Sequence, residues 1–323
     1  VELHAALNEL LPGGRIAMEY APGCTLPVMS NTDAGTVELI RGLGREVVSS
    51  ADLVQVSVAR WSAAAVKHHL RAGELTVQIV HDAFEFIGEH VKGSSKAPLH
   101  EHEVAEFIRD RFRQEQLDWP DGPIVAVNAH AGDPHFEPSA NVPTPIRPGD
   151  LVLIDLWARA GGPHAGDHQI HSDITWMGFV SSPKNPKPSR RQQRVFEIVT
   201  QARDASLALA QSAWKKGDDV QGWQLDDAAR NVLLNADRGE YAQFIRHRTG
   251  HSLSPGPLVH GLGMNLDNLE THDTRAMLPG IGFTIEPGLY LPEFGVRSEI
   301  NVYVDPKKGP IATGVAQREF VIV

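Results

Sequence analysis

Three histidines, His247, His251 and His260, fall close together in the stretch HRTGHSLSPGPLVHG. Imidazole is a metal ligand and the side chain that titrates nearest neutral pH, so this density points to metal or acid–base chemistry. His247 and His251 stand four apart and would share a helix face. Gly250, Ser252, Ser254, Pro255 and Gly256 argue for a loop instead, so the helical zinc motif does not apply. Four carboxylates have an equally unusual setting. Asp155 interrupts LVLIDLW, Asp173 opens DITWMGFV, and Glu286 and Glu299 lie within FTIEPGLYLPEFGVRSEINVYV. A lone strand-end acid in a salt bridge would be ordinary. Four acids in apolar strands, matched as two pairs, would repel one another and raise each other's pKa. Divalent cations held by bridging carboxylates relieve that repulsion.

The elements that carry these residues follow from periodicity. In a pleated strand residues i and i+2 share a face, which groups Asp155 with Leu153 and Trp157, Asp173 with Thr175, and Glu299 with Arg297 and Asn301. Strands are expected at 124–130, 150–158 and 173–180. Residues 283–304 read as two more, joined by a turn at Pro292 to Gly295. A continuous helical stretch is expected from Ser49 or Ser50 to about Val91, with Val66, Leu70, Ile79, Phe86 and Ile87 as apolar positions. Further helices are expected over 100–117, 189–216 (Val195, Ile198, Val199, Ala202 and Leu209 on one face) and 224–236. Two helices and then a strand pair, twice over, describe an α+β domain of two similar halves. Ahead of it, a strand around Arg15 to Tyr20 and a helix over Asp33 to Leu43 form a small α/β piece.

Composition narrows the classes of function. The 323 residues suffice for a substantial core, and 41% apolar with 22% charged residues is ordinary for a globular protein. A formal charge of −10 without a Lys/Arg cluster disfavours a nucleic-acid partner. No apolar run of membrane-spanning length occurs and no signal peptide is visible, so no membrane association is expected. Val1 opens the chain partway into ordered structure, so upstream residues are expected. Cys24 is the only cysteine, which favours a reducing, cytoplasmic setting.

Taken together, these residues resemble the pita-bread metallopeptidases, the family of methionine aminopeptidase, aminopeptidase P, prolidase and creatinase. The resemblance is carried by two Asp on one strand pair, a His in a G-H turn, a Glu in I-E-P-G and a Glu in an R-S-E strand. It runs from about Val58 to the C-terminus. Residues 1–52 resemble the end of the amino-terminal domain of the creatinase and prolidase branch, shortened. The resemblance therefore implies a pita-bread α+β fold with two pseudo-symmetric halves over 53–323, preceded by a partial domain over 1–52. It implies two divalent ions, Mn²⁺ foremost with Zn²⁺, Co²⁺ or Fe²⁺ also fitting, held by Asp155, Asp173, His251, Glu286 and Glu299. Asp173 and Glu299 would bridge them, Asp155 would chelate one, and His251 and Glu286 would serve the other. His260 matches the catalytic His that steadies the substrate carbonyl, and Glu286 would move the proton. His135 in D-P-H-F, His247 and Arg297 match substrate-side groups of the proline-specific branch.

The implied function is a Xaa-Pro aminopeptidase or prolidase-like hydrolase of small peptides, in which a metal-bridging hydroxide attacks the bond before proline. The branch usually forms homodimers. The same fold also serves non-peptide substrates, as in creatinase and the dimethylsulfoniopropionate lyases, and binding-only relatives exist. Three departures stand out. Asp155 and Asp173 are further apart than usual, with the extra residues in RAGGPHAGDHQIHS; its His164, His168 and His171 read as a solvated loop. Gly261 follows His260 where the family has an acid. His272, in NLETHDTR, is a rival for the catalytic position.

Overall fold

The computed structural model describes residues 2–93, 97–161 and 169–323. The chain opens with α1 (Glu2–Leu10), β1 (Arg15–Met18), α2 (Ala34–Gly42) and β2 (Glu46–Ser49). β1 and β2 pair in parallel, and Val37, Ile40 and Val47 close a small core of their own beneath them. Asp33 caps α2 by accepting the Thr36 amide at 2.9 Å.

The single helix expected from Ser49 to Val91 is two helices, α3 (Ala51–Val58) and α4 (Ala63–Lys92). Tertiary bonds break it at Trp61, whose amide donates to the Gly280 carbonyl and whose indole N–H donates to the Leu253 carbonyl at 2.8 Å. Ser62 restarts the helix, accepting the Ala65 amide at 3.1 Å. Next come α5 (Glu101–Gln114), β3 (Leu117–Asp118), β4 (Ile124–Val127), β5 (Leu151–Ala160) and β6 (Ser172–Phe179). The expected strand over 124–130 ends at Val127, and a 3₁₀ turn takes over from Asn128 to Gly132.

β5 and β6 are antiparallel along their length, and their alternation sorts side chains between two cores. Val152, Ile154, Leu156 and Ala158 face α4 and α5, meeting Ile79, Phe84, Ile87, Ile108 and Phe112. Each such fully buried side chain contributes on the order of 2 kcal/mol. On the other face Leu151 and Leu153 pack against α6 (Arg190–Lys216) and α7 (Gly222–Asn235), through Val195, Ile198, Val199 and Leu233. Asp155 and Trp157 continue that second face beyond the apolar contact. Leu70 and Leu209 do not join the cores: they are 41% and 36% exposed. The buried stripe of α4 runs through His69, Ala72, Thr76 and Ile79, and that of α6 through Ala202, Ser206, Ala210 and Ala213, so both leucines fall outside.

The second half has β7 (Ser252–Leu253), β8 (Gly282–Ile285), β9 (Gly288–Tyr290), β10 (Gly295–Arg297), β11 (Ile300–Asp305) and β12 (Gly309–Ala312), and β13 (Val321–Ile322) closes the chain. Strand order is β12-β11-β8-β7 in this half. In the first it is β13-β6-β5-β3, with β4 also on β5. The expected pair of strands over 283–304 is therefore split into four: β8 pairs with β11, and β9 with β10. The splits fall at the two acids. Pro287, which has no N–H, follows Glu286, and there the backbone leaves its hairpin partner: the Glu286 amide donates to the Thr249 carbonyl at 2.7 Å. The Glu299 amide turns to the Thr175 carbonyl of β6, at 3.4 Å. Each break aims a carboxylate at the seam between halves. No helix among the described residues is long and apolar enough to cross a membrane.

Candidate metal centre

One cavity of about 470 Å³ opens at that seam, and all nine expected site residues line it: His135, Asp155, Asp173, His247, His251, His260, Glu286, Arg297 and Glu299. Ligand atoms of Asp173, His251 and Glu299 lie within 4.8 Å of one another. His251 Nε2 stands 3.4 Å from Asp173 Oδ2 and 3.4 Å from Glu286 Oε1. Hydroxyls hold two of the acids: Thr175 donates to Glu299 Oε2 at 2.8 Å and Thr284 to Glu286 Oε1 at 3.1 Å. Arg297 Nη2 donates to Asp155 Oδ2, and Arg297 Nε donates to the Thr175 hydroxyl at 3.0 Å.

The electrostatics are those of an anion cluster short of positive charge. Burial pushes Asp155 up to about 7, with Arg297 opposing and Asp173 and Glu286 adding to the rise. Burial and the neighbouring acids hold Asp173 and Glu299 well above the ordinary carboxylate range. Burial also pushes Glu286 upward, but His251, His247, Arg297 and His260 together outweigh it and keep it below its usual value. Asp155 Oδ1 and Glu299 Oε1 are buried with no hydrogen-bond partner among the described residues. Buried carboxylate oxygens are seldom left so. Carboxylate-rich donors with one imidazole suit hard or borderline divalent ions, and the residues present fit them.

The remaining histidines separate by position. His260 lies beside His251, ring centroids 3.9 Å apart and planes tilted by 35°. The charge on His251 and then burial hold its ring down to about 4, so it is neutral at pH 7 and can donate a hydrogen bond. His272 is not among the cavity residues; its Nδ1 meets Asn268 Oδ1 at 2.8 Å and its ring lies against Trp223. His135 sits exposed at the rim, its amide donating to Asp133. His247 has both nitrogens engaged: Nδ1–H donates to the Arg248 carbonyl at 2.6 Å, and Nε2 accepts from the Tyr290 hydroxyl at 2.5 Å. Tyr290 in turn accepts from Arg297 Nη1 at 3.0 Å. Tyr290 was not singled out in the sequence, because only the β9–β10 register turns it toward Arg297.

The expected solvated loop before Asp173 is corrected at His171, which is 1% exposed. It precedes β6 on the face of Asp173, opposite Arg159, and burial together with Arg159 pushes its ring down to about 4. His164 and His168 lie outside the described residues. Gly261 has a packing reason: a Cβ there would collide with Ser254, and its amide donates to the Ser252 carbonyl at 2.7 Å. No acid fits beside His260.

Two α+β halves closing over a buried carboxylate and histidine cluster define the pita-bread class of metallopeptidase. A model of metallopeptidase family M24 matches residues 67–306, and the chain belongs to that family. Membership of that family implies divalent metal ions. Among curated relatives, a Xaa-Pro dipeptidase of Lactobacillus helveticus is 32% identical over 177 residues, 54% of this chain and 40% of the relative. One from Pyrococcus horikoshii is 29% identical over 253 residues, 78% of this chain and 61% of the relative. The matches thus span 40% and 61% of the length of these two relatives. Solved structures share the fold: a Pyrococcus horikoshii dipeptidase with TM-score 0.64 at 23% identity, covering 100% of this chain and 78% of that one. An X-Pro aminopeptidase from Thermotoga maritima gives 0.65 at 21%, covering 100% and 79%.

Proposed function

We propose that the chain is a dinuclear metal-dependent peptidase that cleaves the bond before proline in short Xaa-Pro peptides. The observation that carries it is the cluster of Asp173, His251 and Glu299, with ligand atoms within 4.8 Å, in a cavity that Asp155 and Glu286 complete. In this reading Asp155, Asp173, His251, Glu286 and Glu299 would together hold the two ions. Bound divalent ions supply Lewis acidity toward the scissile carbonyl and the attacking water.

The chain's own groups do the rest. Glu286, the most acidic of the four carboxylates, accepts the attacking water's proton and returns it to the leaving nitrogen as the C–N bond breaks. Neutral His260 donates to the oxygen on which charge develops. Arg297 fixes Asp155, while His135 and His247 line the substrate side. The named activities of the curated relatives support Xaa-Pro substrates. Mn²⁺ is the resident ion we favour over Zn²⁺, Co²⁺ or Fe²⁺, from the carboxylate-rich donors. We also take residues 1–52 as part of an amino-terminal domain ahead of 53–323, a homodimer as the assembly, and the cytoplasm as the setting, the last from the single cysteine. Assays of Xaa-Pro dipeptides against Xaa-Pro-Xaa tripeptides with added Mn²⁺ test the reading: turnover of at least one is expected, and turnover of neither refutes it.

A further inference from the structure

We infer that Arg159 is a positioning residue: it anchors the loop that carries His260 to the strand that carries Asp155, and so sets where His260 stands beside His251. This rests on the role given to His260 above. The loop is tied at its base. There the Gly261 amide donates to the Ser252 carbonyl at 2.7 Å, and the Leu262 amide to the Ser254 hydroxyl at 3.1 Å. Between those ties residues 255–260 form no helix or strand, and Pro255 and Pro257 have no N–H to offer. Among the described residues, Gly256 alone of these six has hydrogen bonds, and it uses both backbone groups. Its carbonyl accepts from Arg159 Nη1 at 2.8 Å, and its amide donates to the Gln169 carbonyl at 3.4 Å. The two partners flank the turn from β5 to β6, so the tip of the loop hangs on that hairpin.

Arg159 is 6% exposed, so its charge needs partners inside the protein. Asp118, directly opposite it on β3, supplies one side: Oδ2 accepts from Nε and Nη2, each at 2.7 Å. That grip fixes the guanidinium plane and leaves Nη1 for the Gly256 carbonyl. A lysine has one ammonium and no such fork, so it cannot hold both partners in this geometry. Alternation puts Arg159 on the face of β5 that carries Asp155 and Trp157. One strand thus bears Asp155 and, four residues on, the anchor of the histidine loop. The receiving residue is equally particular. Gly256 has φ +140°, which L side chains rarely adopt, yet a Cβ there would have nothing within 4 Å. Glycine is required by the path of the backbone that turns the carbonyl toward Arg159, not by packing. His260 follows four residues later, its ring centroid 3.9 Å from that of His251, and Leu258 and Val259 line the cavity on the way. A shift of the anchor is therefore passed along a short tether to the imidazole.

The test is a double-mutant cycle on Mn²⁺-loaded wild type, Arg159→Met, His260→Ala and the double variant. It reads kcat on the better of Ala-Pro and Ala-Pro-Ala, with bound metal and melting temperature measured on each protein. The Asp118 side chain is 31% exposed, so water can reach it when the guanidinium is gone. Arg159→Met is expected to keep its metal and lose about tenfold in kcat, yet to add less than about twofold to the loss in His260→Ala. A further loss of about tenfold in the His260→Ala background overturns the proposal, as does full kcat in Arg159→Met. Gly256→Ala disturbs the anchor without touching the Arg159–Asp118 pair, and is expected to show the same loss with the same dependence on His260; wild-type kcat there also overturns it. Chymotryptic cleavage after Leu258, mapped by mass spectrometry, reads the loop without activity. It should be about tenfold faster in Arg159→Met and Gly256→Ala than in wild type, with other sites cut at unchanged rates, and equal rates overturn the anchor. A wild type that hydrolyses no Xaa-Pro peptide refutes the peptidase reading instead, and the cleavage rates then decide the anchor.

Discussion

Among the described residues, Asp155 and Glu299 each keep one buried oxygen without a partner, while their other oxygens are held by Arg297 and Thr175. Removing either carboxylate should take away metal affinity along with the charge. Asp155→Ala and Glu299→Ala are expected to lose bound metal and at least about a thousandfold in Xaa-Pro turnover, read by metal analysis and steady-state kinetics. A variant with normal turnover would sink the assigned roles. A second residue-scale prediction concerns His69, fully buried on α4, which donates from Nδ1 to the His171 carbonyl at 3.0 Å and accepts from Thr313 at 2.7 Å. Burial pushes its ring down to about 4 from 6.5. The unfolded chain therefore binds a proton at higher pH than the folded one. The stability this group contributes is complete above pH 6.5 and is lost as pH falls toward 4, on the order of 3 kcal/mol. In urea unfolding, His69→Gln should lose less stability than wild type between pH 6.5 and 4.5; an unchanged difference contradicts this. Four acids of the cavity, Asp155, Asp173, Glu286 and Glu299, were conspicuous in the sequence because acids inside apolar strands are unusual. Tyr290 was not, since its significance depends on His247 and Arg297, which tertiary folding sets beside it.

At the scale of elements, the loop bearing His247, His251 and His260 has no regular secondary structure beyond β7, so side chains from elsewhere must fix it. Buried Asp226 on α7 does this: it accepts the Thr249 amide at 3.1 Å, the Thr249 hydroxyl at 2.6 Å and the Asn268 amide at 2.6 Å, and pairs with Arg230. Asp226→Ala should cost about 3 kcal/mol in chemical denaturation, because Arg230 and the loop amides lose a buried partner. A loss under about 1 kcal/mol, typical of exposed pairs, would show the loop is held otherwise. Gly261→Ala should displace His260 through Ser254, lowering kcat while bound metal is retained; intact kcat would contradict the packing account. Helix faces and strand alternation were readable from spacing. The break at Trp61 and the splits at Glu286 and Glu299 were not, because each is set by backbone bonds to a distant element rather than by local propensity.

For the whole molecule, the two halves close around buried negative charge. Asp155, Asp173 and Glu299 have raised pKa values in the folded chain, so the folded state without metal holds more protons than the unfolded state as pH climbs above about 4. Metal-free stability from these groups is thus present at low pH and falls as pH rises. Metal ions take the place of those protons, so the gain in melting temperature on adding Mn²⁺ should be larger at pH 8 than at pH 5. A gain independent of pH would mean that the ions bind elsewhere. The two-halved order of elements was legible along the chain, whereas the seam between halves, where the nine cavity residues meet, exists only in the fold. Metal analysis by mass spectrometry on chelator-treated, Mn²⁺-reconstituted protein, beside Glu299→Ala, tests the centre most directly. Two ions per chain are expected in the wild type and fewer than one in the variant; a wild type that retains no stoichiometric metal, or a variant that binds as much, contradicts the dinuclear site.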